Sequence, residues 1–262
     1  MFAAVGNVSL LYLSPWIWYE GYAMKWPLLI PIALYCFGSF TRPLFAAALL
    51  GQLAYLGWRG SELGRLPLIG PHDTLTFFSA SIGVMALPLV YGRLLRDETA
   101  FRWSTGMMAG LFALLALPFP AMNMPLPPIL RTYWFEGHVV LAFFAYALFG
   151  VGAILGALFL FGRGRILLDL QYRVILVGYT FFSLSMISGG IWGYYAWGTY
   201  WLWTPKELWT SILWLFYSLW LHLRLKGAEW DRAISWGALA GFAITLFTYL
   251  GVSMLMKSSH SF

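Results

Sequence analysis

Apolar residues do not alternate with polar ones along this chain. They run in long blocks broken by short polar or aromatic segments. Roughly 20 apolar residues in a helix are needed to cross the ~30 Å hydrocarbon layer of a membrane. Eight stretches qualify, near 2–20, 27–58, 74–92, 103–120, 137–161, 173–192, 207–225 and 233–256. The second is too long for one straight span. Thr41-Arg42-Pro43 interrupts it, and proline kinks or ends a helix. The pattern there allows either a long broken helix or a hairpin. A hairpin would make nine spans and move the N-terminus to the other side.

Composition excludes the alternatives to a membrane protein. Of the 262 residues, 61% are hydrophobic and only 10% charged, where a soluble domain carries about 25% charged residues. The mean hydropathy is +0.74. The expected fold is all-α: a polytopic membrane helix bundle of about eight transmembrane helices forming a single integral-membrane domain over 1–262. Its first four spans lie within 1–120, and the half carrying the chemistry is 121–262. The single cysteine, Cys36, lies in an apolar run, which excludes an internal disulfide, a CxxC pair and a cysteine-based zinc site.

The net charge of +6 is read as membrane topology, and no nucleic-acid partner is expected. One side, taken as inner, collects Lys25, Arg93, Arg96, Arg102, Arg163, Arg165, Arg173, Arg224, Lys226 and Arg232. The other holds Arg59, Arg65, Arg131, Lys206 and Lys257, with Arg42 ambiguous. Ten against five is a positive-inside bias that places both termini outside when eight spans are counted. The first positive charge is Lys25, so the opening stretch reads as a retained span rather than a signal peptide.

The outer segments are 59–73, 121–136 and 193–206, and the chemistry gathers at the last. Trp192, Trp197, Trp201, Trp203 and Trp209 fall in one short segment interleaved with Gly193 and Gly198. Interfacial tryptophans usually form an aromatic belt. This density, with glycines that permit close backbone approach, suits a flat apolar polycycle such as a porphyrin, quinone or flavin. Thr204-Pro205-Lys206-Glu207 matches a capping box that starts the seventh span.

Three of the four histidines are placed to ligate. His138 opens span five and His260 follows span eight, both at the depth of the tryptophans. Two imidazoles on opposite faces of a porphyrin would give six-coordinate iron. His222 lies fourteen residues after Leu208, ~21 Å along a helix, and is a candidate for a second, inner site. His72, in Gly70-Pro71-His72-Asp73, reads as structural, and Asp73 as a helix-start residue.

These motifs resemble the haem-handling family of cytochrome c biogenesis membrane proteins, in its CcsA (ResC) branch. The family motif runs approximately W-G-x-x-W-x-W-D-P-K-E-x-W, followed by a helix ending L-H-x-R. It corresponds to Trp197-Gly198 through Trp209, then Leu221-His222-Leu223-Arg224. The family's two external histidine patterns match Leu130-Arg131 through His138 and His260-Ser261-Phe262. The resemblance is strong over 121–262, weaker over 59–90 and faint before that. The family aspartate is Thr204 here, which changes little if that residue only caps a helix.

The resemblance implies haem b as cofactor. His138 and His260 would be axial ligands at an outer site and His222 a ligand at an inner one. Arg131 and Lys206 are candidates for the haem propionates. Haem would pass from the inner to the outer face and be presented to the thiols of a CxxCH motif in apocytochrome c. A CcsB (ResB)-like membrane protein would supply the missing inner histidine, and a thioredoxin-like protein would act indirectly by reducing thiols. The resemblance assigns no catalytic residue to this chain. The implied location is a bacterial inner (cytoplasmic) or thylakoid membrane, with the attachment face outward. CcmC-like or HemX-like haem delivery, a b-haem or quinone electron-transfer subunit, and a transporter with an aromatic gate stay open as alternatives.

Overall fold

The computed structural model describes residues 25–92, 95, 98–123 and 126–255. The 2–20 stretch and His260 lie outside the described residues. Among those described the protein is all-helical. A short helix α1 (Trp26–Phe37) opens with a 3-10 turn and closes in a π turn at Leu34–Gly38. It is followed by α2 (Arg42–Leu63), α3 (Pro71–Tyr91), α4 (Glu98–Ala116), α5 (Tyr133–Leu160), α6 (Ile166–Trp197), α7 (Pro205–Leu223) and α8 (Asp231–Leu246). A π turn, Phe247–Gly251, prolongs α8 into α9 (Val252–Leu255).

Among the described residues, four segments are long and apolar enough to cross a membrane on those criteria alone: α3, α5, α6 and Ala228–Gly251, which contains α8. Helices α2, α4 and α7 run between the same two ends of the bundle. At ~1.5 Å per residue, the 32 residues of α6 extend ~48 Å, well past the ~30 Å hydrocarbon layer. Its apolar flank, including Val177, Leu184 and Ile187, is exposed, as suits a lipid-facing surface.

The 27–58 stretch is a hairpin. Thr41 is extended, with φ −121° and ψ 148°, and Pro43 sits in the first turn of α2. That proline terminates one helix and starts the next. Arg102 closes the turn by donating from Nε to Ser39 O at 2.9 Å and from Nη2 to Phe40 O. Folding back brings Pro31 beside Gly51 and packs Leu28 and Ile32 with Tyr55. Lys25 therefore belongs at the tryptophan end, where Nζ donates to Leu117 O at 3.1 Å. Burial lowers its pKa from the ordinary lysine value. Arg42, beside the Tyr91 hydroxyl, belongs at the opposite end. Lys25 thus changes sides relative to the sequence expectation and the ambiguous Arg42 gains one, and among the described residues the excess of basic residues stays at the end away from the tryptophans.

The two largest of the apolar clusters among the described residues lie between these helices. In one, Phe78 meets Phe112, Phe143 and Tyr249 at ring separations of 4.6, 5.9 and 5.7 Å. In the other, Phe149 stacks on Tyr217 at 3.7 Å and the Trp220 indole donates to Ile234 O at 2.8 Å. Helices α5 and α6 approach over glycines. A Cβ on Gly152 would fall 2.5 Å from Ile175, and one on Gly156 2.3 Å from Gln171 Nε2. Small residues allow such close crossings in membranes, where packing rather than hydrophobicity drives helix association. Gln171 then donates to Gly152 O at 3.1 Å.

Arg59, expected in an outer loop, is fully buried. It pairs through Nε with Asp73 Oδ1 at 3.1 Å and donates to Met122 O at 2.8 Å and to Asn123 Oδ1. Asp73 lies in the first turn of α3, as expected, but its carboxylate holds Arg59. His72 is structural: its ring nitrogens meet Tyr55 Oη at 2.8 Å and Ala116 O at 3.0 Å. Arg59 thus ties α3 to the segment after α4. Removing one partner of a buried ion pair costs about 3–5 kcal/mol. Arg59→Ala is expected to lower the melting temperature in detergent sharply, and Arg59→Ala/Asp73→Ala by much less than the sum of the single changes. Additive losses in that double-mutant cycle would show that the pair is not coupled.

Candidate functional site

Between the tryptophan ends of α3, α5, α6 and α7 lies a cavity of about 590 Å³, within the range of small-molecule and cofactor sites. Phe135, Phe143, Tyr146 and Phe182 line it, with Trp192, Tyr200 and Trp201 at its outer side. Its polar side chains are few: His138, Ser185, Lys206, Glu207, Thr74 and Thr210, with the phenols Tyr146, Tyr200 and Tyr249. The 68–71 segment and Leu115 close another side, so the Arg59–Asp73 clamp holds two of the elements that carry the wall.

His138 sits in the second turn of α5, which starts at a Thr132 cap whose side chain accepts from Phe135 N. Its Nδ1 lies 2.8 Å from Ser185 O and 3.1 Å from Ser185 Oγ. Ser185 Oγ donates to His138 O at 2.9 Å. A carbonyl can only accept, so Nδ1 carries the proton and Nε2 keeps its lone pair in the neutral ring. The ring lies nearly parallel to Trp192, 16° apart with centroids separated by 6.4 Å. The Trp192 indole donates to Ile129 O at 2.9 Å, and Phe135 and Trp197 pack against its ring.

The tryptophan segment is not one loop. Trp192 and Trp197 belong to the last turns of α6, and Trp209 lies on α7. Gly198 ends α6 in the left-handed region at φ 74° and donates to Tyr194 O. The chain then folds back across α6, since a Cβ on Gly193 would stand only 3.3 Å from Thr199 O. The two glycines were expected to admit a flat ligand. One turns the chain and the other receives the loop's own backbone. Trp192 and Trp201 face the cavity, whereas Trp197 packs behind Trp192. Trp209 packs on Phe247 at 4.5 Å. Trp203 is 69% exposed and holds a left-handed φ of 58°.

The capping box is present. Thr204 accepts from Glu207 N, and Glu207 Oε2 accepts from Thr204 N and Leu202 N, both at 2.9 Å. Thr204 therefore caps the start of α7. Lys206 follows into the cavity wall.

The remaining candidates lie elsewhere. Arg131 is exposed and donates to Leu126 O at 2.9 Å, outside the cavity lining. His222 lies at the far end of α7, exposed, with Nδ1 2.7 Å from Ser218 O of its own helix. Nearby, Arg224 pairs with Asp169 at 3.1 Å, and Asp231 with Arg165. His138 and His222 therefore stand at opposite ends of the bundle. Sequence reasoning missed Ser185, Gly189 and the aromatic side walls. Small residues at 185, 188 and 189, spaced to share one face of an otherwise apolar helix, were the available signal.

The class defined by this architecture is an integral-membrane helix bundle with an aromatic cavity at one end. Comparison with known proteins narrows the class. The profile of the Cytochrome C assembly protein family matches residues 46–260. The chain belongs to that family, as a protein of the CcsA type acting in cytochrome c biogenesis. It is 29% identical to the cytochrome c biogenesis protein CcsA of Synechococcus sp. (strain RCC307), covering 84% of this chain and 83% of the relative. To the CcsA of Chlamydomonas reinhardtii it is 31% identical, covering 82% of this chain and 65% of the relative. The CcsA of Gloeothece citriformis (strain PCC 7424) is 27% identical over 83% of this chain and 85% of its own.

Glu207→Ala is expected to free the 198–204 backbone by removing both acceptor bonds. Faster protease cleavage or amide exchange confined to that segment is the readout. Unchanged rates would mean that Glu207 does not hold the loop.

Proposed function

We propose that this chain receives haem b as a substrate, holds it in the tryptophan-end cavity and presents it for thioether attachment to the CxxCH of an apocytochrome c. The observation carrying this reading is His138: an imidazole in the wall of an aromatic cavity, its Nδ1 proton committed to a carbonyl and its Nε2 left for iron. Metal-ligating histidines are oriented in this way. The cavity volume, the flanking indoles and Lys206 in its wall suit an amphipathic macrocycle with anionic propionates. Bound haem supplies the iron for ligation and the vinyl groups to which thiols add.

His138 would provide one axial ligand and His260 the other. Met254 lines the cavity, and the six residues from it to His260 can reach about 20 Å. Trp192 and Trp201 would hold the macrocycle, with Trp197, Trp203 and Trp209 supporting the segment. Lys206 is the leading propionate cation, and Arg131 beside Leu130 is the second. The chain's contribution is held geometry, which converts an encounter into a positioned reaction. The thiols supply the nucleophile.

His222, exposed beside the charged network, would ligate haem at entry together with a histidine from a CcsB/ResB-like partner. The excess of basic residues at that end favours its placement on the inner face, with attachment on the outer face of a bacterial inner or thylakoid membrane. A thioredoxin-like protein would keep the apocytochrome thiols reduced.

Visible spectra of the chain purified with its partner test the reading. Low-spin bis-imidazole haem is expected, lost in His138→Ala and in His260→Ala and partly restored by added imidazole. His222→Ala is expected to lower total haem by reducing entry. Full occupancy in the His138→Ala/His260→Ala double variant would sink the outer-site assignment.

A further inference from the structure

Opposite the His138 ring, α6 has no side chain. A Cβ built on Gly189 would stand 2.6 Å from His138 Nδ1, 2.8 Å from Cε1 and 3.2 Å from Cγ. Real Cβ atoms essentially never come within the first two of these distances, so Nδ1 and Cε1 would have to shift. Cγ would have to give by a few tenths of an ångström, so the ring is pushed off its place as a body rather than only at its tip. One turn earlier on the same helix, Ser185 receives the Nδ1 proton, while its own hydroxyl donates to His138 O. Ser188 Oγ donates to the same Ser185 carbonyl at 3.0 Å. A flat slot at Gly189 and an acceptor at Ser185 thus meet one imidazole from two directions.

We infer that Gly189 and Ser185 are positioning residues for the iron ligand: together they fix the plane and tautomer of His138. Without the slot the ring cannot lie against α6. Without the acceptor the ring is free to carry its proton on Nε2, the atom that must face the metal. Groups that hold the second nitrogen of a ligating histidine are typically worth about 10–100-fold in metal affinity. Ser185→Ala keeps the carbonyl and removes only the hydroxyl, so it belongs near the lower figure. Gly189→Ala displaces the ring and belongs near the upper one.

The inference rests on His138 being a haem ligand, and the test separates the two claims. The full chain, purified with its partner, is titrated with ferric haem b and followed by visible and magnetic circular dichroism spectra. Wild type, His138→Ala, Ser185→Ala and Gly189→Ala are compared, each with and without imidazole. In Gly189→Ala the low-spin signal is expected to give way to high-spin haem, with affinity about 100-fold weaker and the low-spin signal returning on adding imidazole. Ser185→Ala is expected to bind about 10-fold more weakly, and it decides the matter should Gly189→Ala not accumulate. Wild-type spectra and affinity in both variants, alongside a changed His138→Ala, would overturn the seat and leave the ligand standing. A wild-type spectrum in His138→Ala would remove the ligand and the seat with it.

Discussion

Helices α5 and α6 lie so close that a methyl group at Gly152, Gly156 or Gly189 would overlap a side chain of the partner helix. In a bilayer, lipid tails cover an apolar side chain as well as protein does, so helices associate where shape permits dense contact. The crossing fixes the spacing of the two longest helices. Gln171 bonds across it at one end, and His138 bonds across it at the other. The contact that organises the bundle therefore also seats the imidazole. Little in the cavity stays in place if that spacing changes.

Polar groups follow the same logic. An arginine inside a water-poor bundle must be paired, and Arg59 and Arg102 each find several acceptors on chain segments distant in sequence. Arg102 closes the α1–α2 hairpin. Arg59 joins α3 to the segment after α4, two elements that wall the cavity. The network at the other end, with Arg224, Asp169, Asp231 and Arg165, sits beside His222 where a partner could reach it. The two histidine positions thus differ in kind. One lies in a cavity enclosed by several helices, and the other is on the open surface of one helix.

The tryptophan segment divides its labour more than its composition suggests. Trp192 and Trp201 face the cavity, while Trp197 and Trp209 support it from behind. Gly193 admits the returning loop, and Glu207 pins that loop by two backbone N–H groups. Aromatic density in a sequence cannot assign these roles. It depends on where α6 ends, and Gly198 sets that.

Much was legible in the linear chain. Apolar block lengths give the helices, because the bilayer sets a length and forbids unpaired backbone. The capping box at Thr204 is local and follows from four adjacent residues. The tryptophan pattern with Leu221-His222-Leu223-Arg224 points to the family. Only the tertiary structure decided the rest. It made 27–58 a hairpin, closed by hydrogen bonds that Arg102, some 60 residues away, donates to the turn's carbonyls. That hairpin moved Lys25 to the tryptophan end. It buried Arg59, whose partners Asp73 and Asn123 are distant in sequence. It also gave Gly189 a purpose, by setting His138 against it. Each of these depends on which helix packs beside which, and hydropathy, having no memory of neighbours across the bundle, carries no information about that.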